Sequence, residues 1–215
     1  MDSSHFTFKH PTTILIAGPT QSGKTSFVVN VIKNRLISPW PNRIIWVTGH
    51  PDDGLDKKEM LLQNPNIEYI TKFDEGLFDK FSDQDRNLLI MDDLMEKAGN
   101  SKMAANLFTQ GSHHRNLTII FLIQNLFYKS KEMRTISLNS HYLVLYKNPR
   151  DKSQIRNLAY QIFPSTPNFL IEAFSDATQS RYSYLLIDLH PETAEEYRIR
   201  TRIFPGEEQI VFLPK

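Results

Sequence analysis

Gly18-Pro19-Thr20-Gln21-Ser22-Gly23-Lys24-Thr25 matches the phosphate-binding pattern G-x-x-x-x-G-K-[ST], the Walker A motif or P-loop. In such a loop the backbone N–H groups surround a phosphate, because the glycines allow the chain to turn tightly. The pattern predicts that Lys24 reaches the β- and γ-phosphates of a nucleotide and that the Thr25 hydroxyl holds Mg²⁺. We therefore expect Gly18 to Thr25 to bind a nucleoside triphosphate with its magnesium ion.

The residues on either side of this loop support the same interpretation. Thr12 to Ala17 is an apolar run typical of a short buried strand, and Ser26 to Leu36 has the apolar spacing of a helix. A strand, a glycine loop and a helix in this order direct N–H groups and a helix N-terminus at an anion. The alternative is an ordinary glycine turn between a strand and a helix.

The rest of the chain alternates between predicted strands and helices. The predicted strands are 43–48, 67–70, 87–91, 117–123, 142–146 and 182–189, and the predicted helices are 56–63, 75–81, 101–114, 131–138, 151–162 and 168–177. Alternation of this kind predicts an α/β fold with a mostly parallel sheet covered by helices on both faces. Residues 198–204 and 209–213 alternate as a terminal β-ribbon does.

Length and composition fit one ordinary globular domain. The 215 residues are 40% hydrophobic and 23% charged, and they include no cysteine, which excludes disulfides and thiolate metal sites and is compatible with an intracellular protein. No apolar run approaches the length of a membrane span. We expect a single domain over residues 1–215, with residues 1–11 as a polar lead-in and residues 190–215 as a C-terminal tail.

Two adjacent carboxylates end the apolar run Leu88-Leu89-Ile90-Met91-Asp92-Asp93, which has the form of a Walker B strand. A carboxylate at the end of a strand near a P-loop is suited to Mg²⁺, so Asp92 is the candidate metal residue. Asp93 is the candidate base that polarises the attacking water, and Glu96 is an alternative for that role. Adjacent acids are also common in turns that have no catalytic role.

Gln124 follows Leu117 to Ile123, the most apolar segment of the chain. An amide at the end of a strand beside the Asp92 strand can bond the γ-phosphate or the attacking water, so Gln124 is the candidate sensor. It can equally satisfy a loop backbone. His113 and His114 suggest a metal site, but no third ligand is evident.

Arg115 precedes the same strand at its opposite end. About seven residues of extended chain, or roughly 23 Å, separate it from the end that would face the protein's own nucleotide. We therefore expect Arg115 to meet a phosphate across a subunit boundary, as an arginine finger does. A surface arginine or a core salt bridge is the alternative.

Charge is unevenly distributed, although the net charge of the chain is only +1. Between residues 129 and 156, seven basic residues stand against two acidic ones, a net charge of +5. Lys129, Lys131 and Arg134 are candidate DNA contacts, and a solvated basic face is the alternative. Thr71-Lys72-Phe73-Asp74 resembles a guanine-reading motif, but it precedes Asp92 instead of following it, so we expect ATP.

The order GPTQSGKT, LLIMDD, SHHRNLTIIFLIQN resembles the FtsK–HerA superfamily of P-loop ATPases over residues 12 to 190. It is most similar to the DNA-packaging ATPases of eukaryotic DNA viruses, virophages and polinton- or adintovirus-like elements. The resemblance implies a RecA-like sheet and a homo-oligomeric ring, often a hexamer, that moves double-stranded DNA with ATP and Mg²⁺. It also implies capsid proteins as partners and a location in infected cells or virions. Asp93 departs from the pattern, because many members have Glu there.

Two other functions stay open at the level of sequence. A HerA- or FtsK-like cellular DNA motor would carry the same motifs. A small-molecule kinase would also bind ATP, but it needs a lid and an acceptor site, and no arginine-rich lid motif is evident.

Overall fold

The computed structural model describes residues 6–49, 67–112, 115–127 and 129–214. Its strands are β1 (Phe8–Lys9), β2 (Thr13–Ala17), β3 (Ile37–Ser38), β4 (Arg43–Thr48), β5 (Ile67–Ile70), β6 (Asn87–Asp92), β7 (Leu117–Ile123), β8 (Tyr142–Tyr146), β9 (Tyr184–Asp188), β10 (Ile199–Thr201) and β11 (Ile210–Val211). Its α-helices are α1 (Lys24–Lys33), α2 (Met95–Ala98), α3 (Lys102–Asn106), α4 (Lys131–Leu138), α5 (Ser153–Ile162) and α6 (Pro167–Ala177).

Most of these strands form one sheet. Within the described part of the chain it has nine strands in the order β11-β10-β9-β8-β2-β7-β6-β4-β5. The strands from β8 to β5 in this order are parallel, whereas β9, β10 and β11 add to the edge in antiparallel fashion. The predicted, mostly parallel sheet is confirmed. The predicted C-terminal ribbon is also confirmed, as β10 and β11, and it extends this sheet.

Helices cover both faces, as predicted. Every residue of β2 and β7 is buried, which is typical of strands inside a parallel sheet. Ile14 and Ile16 pack in the cluster that contains the apolar side of α1. Leu15 and Ala17 point to the other face, where they join the cluster formed by α3, α4, α5 and α6.

The described part of the predicted polar lead-in, residues 6–11, contains a short buried strand. Phe8 is fully buried and lies in β1, which pairs in parallel with β3. Its ring makes an edge-to-face contact with Tyr142 at 5.0 Å between centroids, and Phe6 packs against Phe8 at 4.9 Å. The first described residues are therefore part of the core on the α1 face.

Several predicted helix boundaries are wrong. The first helix ends at Lys33 because the chain turns through Arg35, with φ 51°, into β3. Ser101 does cap α3 by accepting a hydrogen bond from the Ala104 N–H, but α3 ends at Asn106 and a π-helical turn follows at Leu107–Gly111. Residues 75–80 form a 3₁₀ turn. The predicted helix 56–63 lies outside the described residues.

Among the residues that the structure describes, no helix combines the length and the apolar character that a membrane crossing requires.

Candidate nucleotide-binding site

The carboxyl ends of four neighbouring strands, β8, β2, β7 and β6, bring most of the predicted site residues together. Ala17, the last residue of β2, pairs with Ile123 on one side and with Leu145 on the other. The loop that begins at Gly18 therefore starts level with Gln124, which follows β7. Strand β6, next to β7, ends at Asp92 at this same end of the sheet.

Backbone geometry explains the glycines of the loop. Gly23 has φ 103°, a conformation that residues with a Cβ rarely adopt. A Cβ on Gly18 would lie 2.6 Å from the Cβ of Tyr146, which is too close for any side chain. Both glycines are therefore required by this loop, one for its conformation and one for its contact with β8.

Lys24 begins α1 and extends its side chain back along the loop. Its Nζ donates hydrogen bonds to the carbonyl oxygens of Gly18 and Pro19 at 2.7 and 2.9 Å. Burial lowers the pKa of Lys24, and the carboxylates of Asp92 and Asp93 oppose that shift. The ammonium thus lies between the loop and the two acids.

Thr25 and Asp92 are in direct contact. The Thr25 hydroxyl donates to Oδ2 of Asp92 at 3.4 Å, and Asp92 is only 7% exposed. A hydroxyl and a carboxylate at this place in the fold are the oxygen ligands that hold Mg²⁺ beside a P-loop.

Ser22 adds a second reason why the loop fits a phosphate. Its Oγ is buried and has no hydrogen-bond partner among the described residues. A buried hydroxyl without a partner costs about 1–3 kcal/mol, which a phosphate oxygen would relieve. This oxygen belongs to the loop interior, because a Cβ on Gly18 would lie 2.8 Å from it. The residues present fit a triphosphate with its magnesium ion.

Asp93 is held in an unusual backbone conformation beside Gly49, a glycine that in the sequence marks only the end of a strand. Asp93 is exposed and has φ 54°, which costs a non-glycine residue on the order of 1–3 kcal/mol. The N–H of Gly49 donates to the Asp92 carbonyl at 3.2 Å. A Cβ on Gly49 would lie 2.6 Å from the Asp93 carbonyl oxygen. Gly49 therefore shapes the corner that carries both acids.

Gln124 is exposed at the site edge, and Gln154 of α5 secures the segment that follows it. The Leu126 N–H donates to Oε1 of Gln154 at 3.1 Å, and Nε2 of Gln154 donates to Asp151 at 2.9 Å. These groups line a cavity of about 340 Å³ that extends from Gly18 and Gln124 between β8, α5 and α6. No motif in the sequence indicates this role for Gln154, because its partner lies elsewhere along the chain.

A second cavity, of about 410 Å³, also adjoins the loop and shares Tyr146, Lys147, Pro149 and Thr178 with the first. It is bounded by Pro19 to Ser22 and by residues 178–183, the segment between α6 and β9. The sequence predicts that a strand begins at Tyr182, but β9 begins at Tyr184 and Tyr182 lies in the preceding turn. In the sequence, the only sign that this segment lines a cavity was an aromatic residue, Tyr182, between Arg181 and Ser183.

Tyr146 connects this second cavity to the loop. Its hydroxyl donates to the Gly23 carbonyl at 3.3 Å, and burial, with a smaller contribution from Tyr184, raises the pKa of Tyr146 above its usual range. The hydroxyl therefore keeps the proton that it donates.

The remaining candidates lie away from the loop or outside the described residues. Arg115 precedes β7 and lies at the amino end of that strand, opposite the glycine loop. Its carbonyl accepts a hydrogen bond from the Asn87 side chain at 3.1 Å. Lys129, Lys131 and Arg134 are all exposed, beside or on α4. Glu96 belongs to α2, but its side chain is not among the described ones, and His113 and His114 also lie outside the described residues.

Comparisons with known proteins identify the fold. No protein-family model matches the sequence, and no curated protein matches it significantly. The genome-packaging NTPase B204 from Sulfolobus turreted icosahedral virus 2 in complex with ATP-gammaS aligns with TM-score 0.55 and 13% identity, covering 95% of this chain and 98% of that chain. The same protein with AMPPCP gives a TM-score of 0.57 at 13% identity, with the same coverage.

B204 from Sulfolobus turreted icosahedral virus, described as the DNA-packaging ATPase, aligns with TM-score 0.55 at 11% identity over 95% of this chain and 98% of that one. At such identities the likeness establishes the fold alone. The predicted RecA-like P-loop NTPase fold is confirmed.

Proposed function

We propose that this protein is an ATP-driven double-stranded DNA translocase of the FtsK–HerA type that packages a viral genome into a capsid. The observation that carries the proposal is the contact between Thr25 and Asp92, which joins the glycine loop to the carboxylate strand at one edge of a RecA-like sheet. The likeness in fold to viral genome-packaging NTPases over nearly the whole chain supports the choice of a packaging motor.

The chain supplies a group for each step of γ-phosphate hydrolysis. Thr25 and Asp92 would hold Mg²⁺, which supplies charge neutralisation on the phosphate oxygens when bound. Lys24 stabilises the negative charge that develops between the β- and γ-phosphates. Asp93 accepts a proton from the attacking water, and Gln124 orients that water or the γ-phosphate.

Coupling to DNA is assigned to the exposed cations that follow Gln124. Lys129 lies five positions after Gln124, and Lys131 and Arg134 are on the solvent side of α4, whose Met133 and Ile136 are buried. The Ser130 hydroxyl accepts a hydrogen bond from the Met133 N–H at 2.9 Å and donates one to the Gly99 carbonyl at 2.6 Å. A force on these cations would therefore act on a segment that is hydrogen-bonded to Gly99, six positions after Asp93.

Arg115 is assigned to a neighbouring subunit's nucleotide. Its position at the amino end of β7, away from the protein's own glycine loop, supports action in trans within a homo-oligomeric ring, often a hexamer in this class of motor. Capsid proteins would be the further partners of such a ring, and infected cells or virions its location. A cellular HerA- or FtsK-like motor would use the same residues, and capsid genes beside the coding sequence would separate the two.

The test is steady-state ATP hydrolysis with and without double-stranded DNA. The wild-type protein should release phosphate faster when DNA is present. Lys24→Ala should abolish hydrolysis and weaken ATP binding, because the phosphates lose a fixed cation. Lys33→Ala, in which an exposed lysine at the end of α1 is removed, is the matched control and should behave as the wild type. Wild-type turnover in Lys24→Ala, or phosphate transfer to a small acceptor without DNA stimulation, would contradict the proposal.

A further inference from the structure

The second cavity beside the glycine loop, which Tyr182 lines, has no role in the hydrolysis described above. Its walls are the backbone and side chains of Pro19 to Ser22, the end of β8 at Tyr146 and Lys147, and residues 178–183. At about 410 Å³ it lies within the size range of small-molecule sites. It adjoins the cavity that Gln124 lines, with which it shares Tyr146, Lys147, Pro149 and Thr178, but Gln124 lines only that cavity and Tyr182 only this one.

Tyr182 is the distinctive side chain of this cavity. A Cβ on Gly23 would lie 3.2 Å from Cδ1 and 3.3 Å from Cβ of Tyr182, so the ring rests against the last glycine of the loop. The rest of the side chain is open, because Tyr182 is 67% exposed. The turn holds it there with φ 62°. A large aromatic side chain that is fixed on one side and open to a cavity is a platform on which a flat ring can stack.

The order of groups along a nucleotide decides which part of it would reach this platform. The γ-phosphate belongs near Asp93 and Gln124, since these are the groups that act on it. The β- and α-phosphates follow the loop, so the ribose and base emerge away from Gln124. The cavity that Gln124 lines is therefore at the γ-phosphate end, and the cavity that Tyr182 lines is the one available to the nucleoside end.

We propose that Tyr182 is the stacking platform for the adenine base of ATP, in the cavity that Arg181 also lines. The inference rests on the proposed nucleotide binding. It assigns a site to the adenine base, for which the P-loop motif provides no contact. Stacking on an aromatic face favours any base over none. Tyr182 thus contributes affinity for the nucleoside and none for the phosphates.

The experiment compares ATP with inorganic tripolyphosphate, each with Mg²⁺, by isothermal titration calorimetry. Tyr182→Ala should weaken ATP binding on the order of tenfold, in line with the loss of one stacked base, and leave tripolyphosphate binding unchanged. Tyr182→Phe should retain wild-type affinity for both, because the ring is kept. Tyr160→Ala is the control, since Tyr160 is an equally exposed tyrosine, 62% against 67%, on α5. Thermal melting of each variant checks that it is folded.

A second measurement places the base directly. In Tyr182→Trp, ATP should quench the new indole fluorescence and tripolyphosphate should not, measured against the wild-type protein, which contains two tryptophans. An equal loss of affinity for ATP and tripolyphosphate in Tyr182→Ala, or no loss for either, would overturn the assignment of Tyr182 alone. Failure of the wild-type protein to bind both ligands would overturn the proposed nucleotide site and this inference with it.

Discussion

The Oγ1 hydroxyl of Thr25 lies 3.4 Å from Oδ2 of Asp92, although 67 positions separate the two residues along the chain. Thr25 is in α1, which follows β2, and Asp92 is the last residue of β6. Strand β7 lies between β2 and β6 in the sheet, so the contact passes over the carboxyl end of β7. It links the glycine loop directly to the acidic corner. The roles of the residues around it can be separated by substitution.

Substitutions of Asp92 and Asp93 should have different effects on ATP binding and hydrolysis. Asp93→Asn should bind Mg²⁺ and ATP normally and hydrolyse ATP about 10²–10⁴ times more slowly, because an amide is a poor proton acceptor. Asp92→Asn should also lose the Mg²⁺ dependence of ATP binding. Both are measured by phosphate release and by ATP titration over a range of Mg²⁺ concentrations. Asp83→Asn, at an exposed position away from the site, is the control. An active Asp93→Asn beside an inactive Glu96→Gln would mean that the base was misassigned.

Gly49 should be indispensable for the geometry of that corner. In Gly49→Ala the new Cβ would meet the Asp93 carbonyl oxygen at 2.6 Å, so the corner must shift. We expect a loss of about 1–3 kcal/mol in the free energy of unfolding and a large loss of turnover. Gly76→Ala is the matched control, because its Cβ would make only an ordinary contact of 3.4 Å with Asp74. Denaturant unfolding and phosphate release check both; equal behaviour of the two variants would contradict the role of Gly49.

Gln154 should act on hydrolysis through the segment after Gln124. Gln154→Ala removes the acceptor of the Leu126 N–H, and leaving that group unsatisfied costs about 1–3 kcal/mol. The segment should then move, so kcat for ATP hydrolysis should fall while KM changes little. Gln161→Ala, at an exposed position of the same helix, is the control. If kcat and KM change together, or if neither changes, Gln154 does not position Gln124.

Charge reversal at Lys129 and Lys131 should weaken the response to DNA. The double substitution to Glu removes two cations, so the stimulation of hydrolysis by DNA should fall. The apparent DNA affinity, taken from the DNA concentration that gives half-maximal stimulation, should lose about 0.9 of its log–log slope against salt for each phosphate that the protein no longer neutralises. Lys33→Glu with Lys72→Glu carries the same charge change at exposed positions elsewhere. Stimulation equal to that of the control at several salt concentrations would identify the stretch as a solvated basic face.

Mixed rings should show whether Arg115 acts in trans. Arg115→Ala should bind ATP and assemble normally but hydrolyse on the order of a thousandfold more slowly, the contribution of an arginine finger. Mixing it with Lys24→Ala subunits should partly restore turnover, because an intact Lys24 can then sit beside an intact Arg115. Assembly is checked by light scattering before phosphate release is measured. Absence of rescue in confirmed mixed rings would indicate a structural role for Arg115.

Three strands with continuous apolar runs were predicted to the residue, whereas the bounds of β2, β6 and β9 differ by one or two residues. The predicted bounds of 43–48, 117–123 and 142–146 coincide with β4, β7 and β8. Burial on both faces requires nearly every residue of such a strand to be apolar, so the sequence itself marks where it ends. Phe8 shows the opposite case. A two-residue strand in a polar segment has no periodicity, and the Phe8 side chain is buried because it packs against Phe27 and Tyr142.

The candidate site was predictable where one motif carries one group, as for Lys24, Thr25 and Asp92. The residues missed are those whose role is a contact between distant segments. Gly49 matters because of a carbonyl at Asp93, and Gln154 because of an N–H at Leu126. Nothing local to either residue indicates its partner, since the partner is defined by strand order and helix packing.

The contact of Tyr182 with Gly23 also has a consequence for the order in which the protein is made. The glycine loop is synthesised before Tyr182, which rests on it and lies 159 positions after Gly23. At about 5–20 residues per second, roughly ten to thirty seconds of synthesis separate the two. During that interval the wall of the second cavity that Tyr182 forms does not exist. A nascent chain that already contains every residue of the P-loop therefore still lacks one wall of the site, and ATP would bind it more weakly than it binds a chain that includes Tyr182.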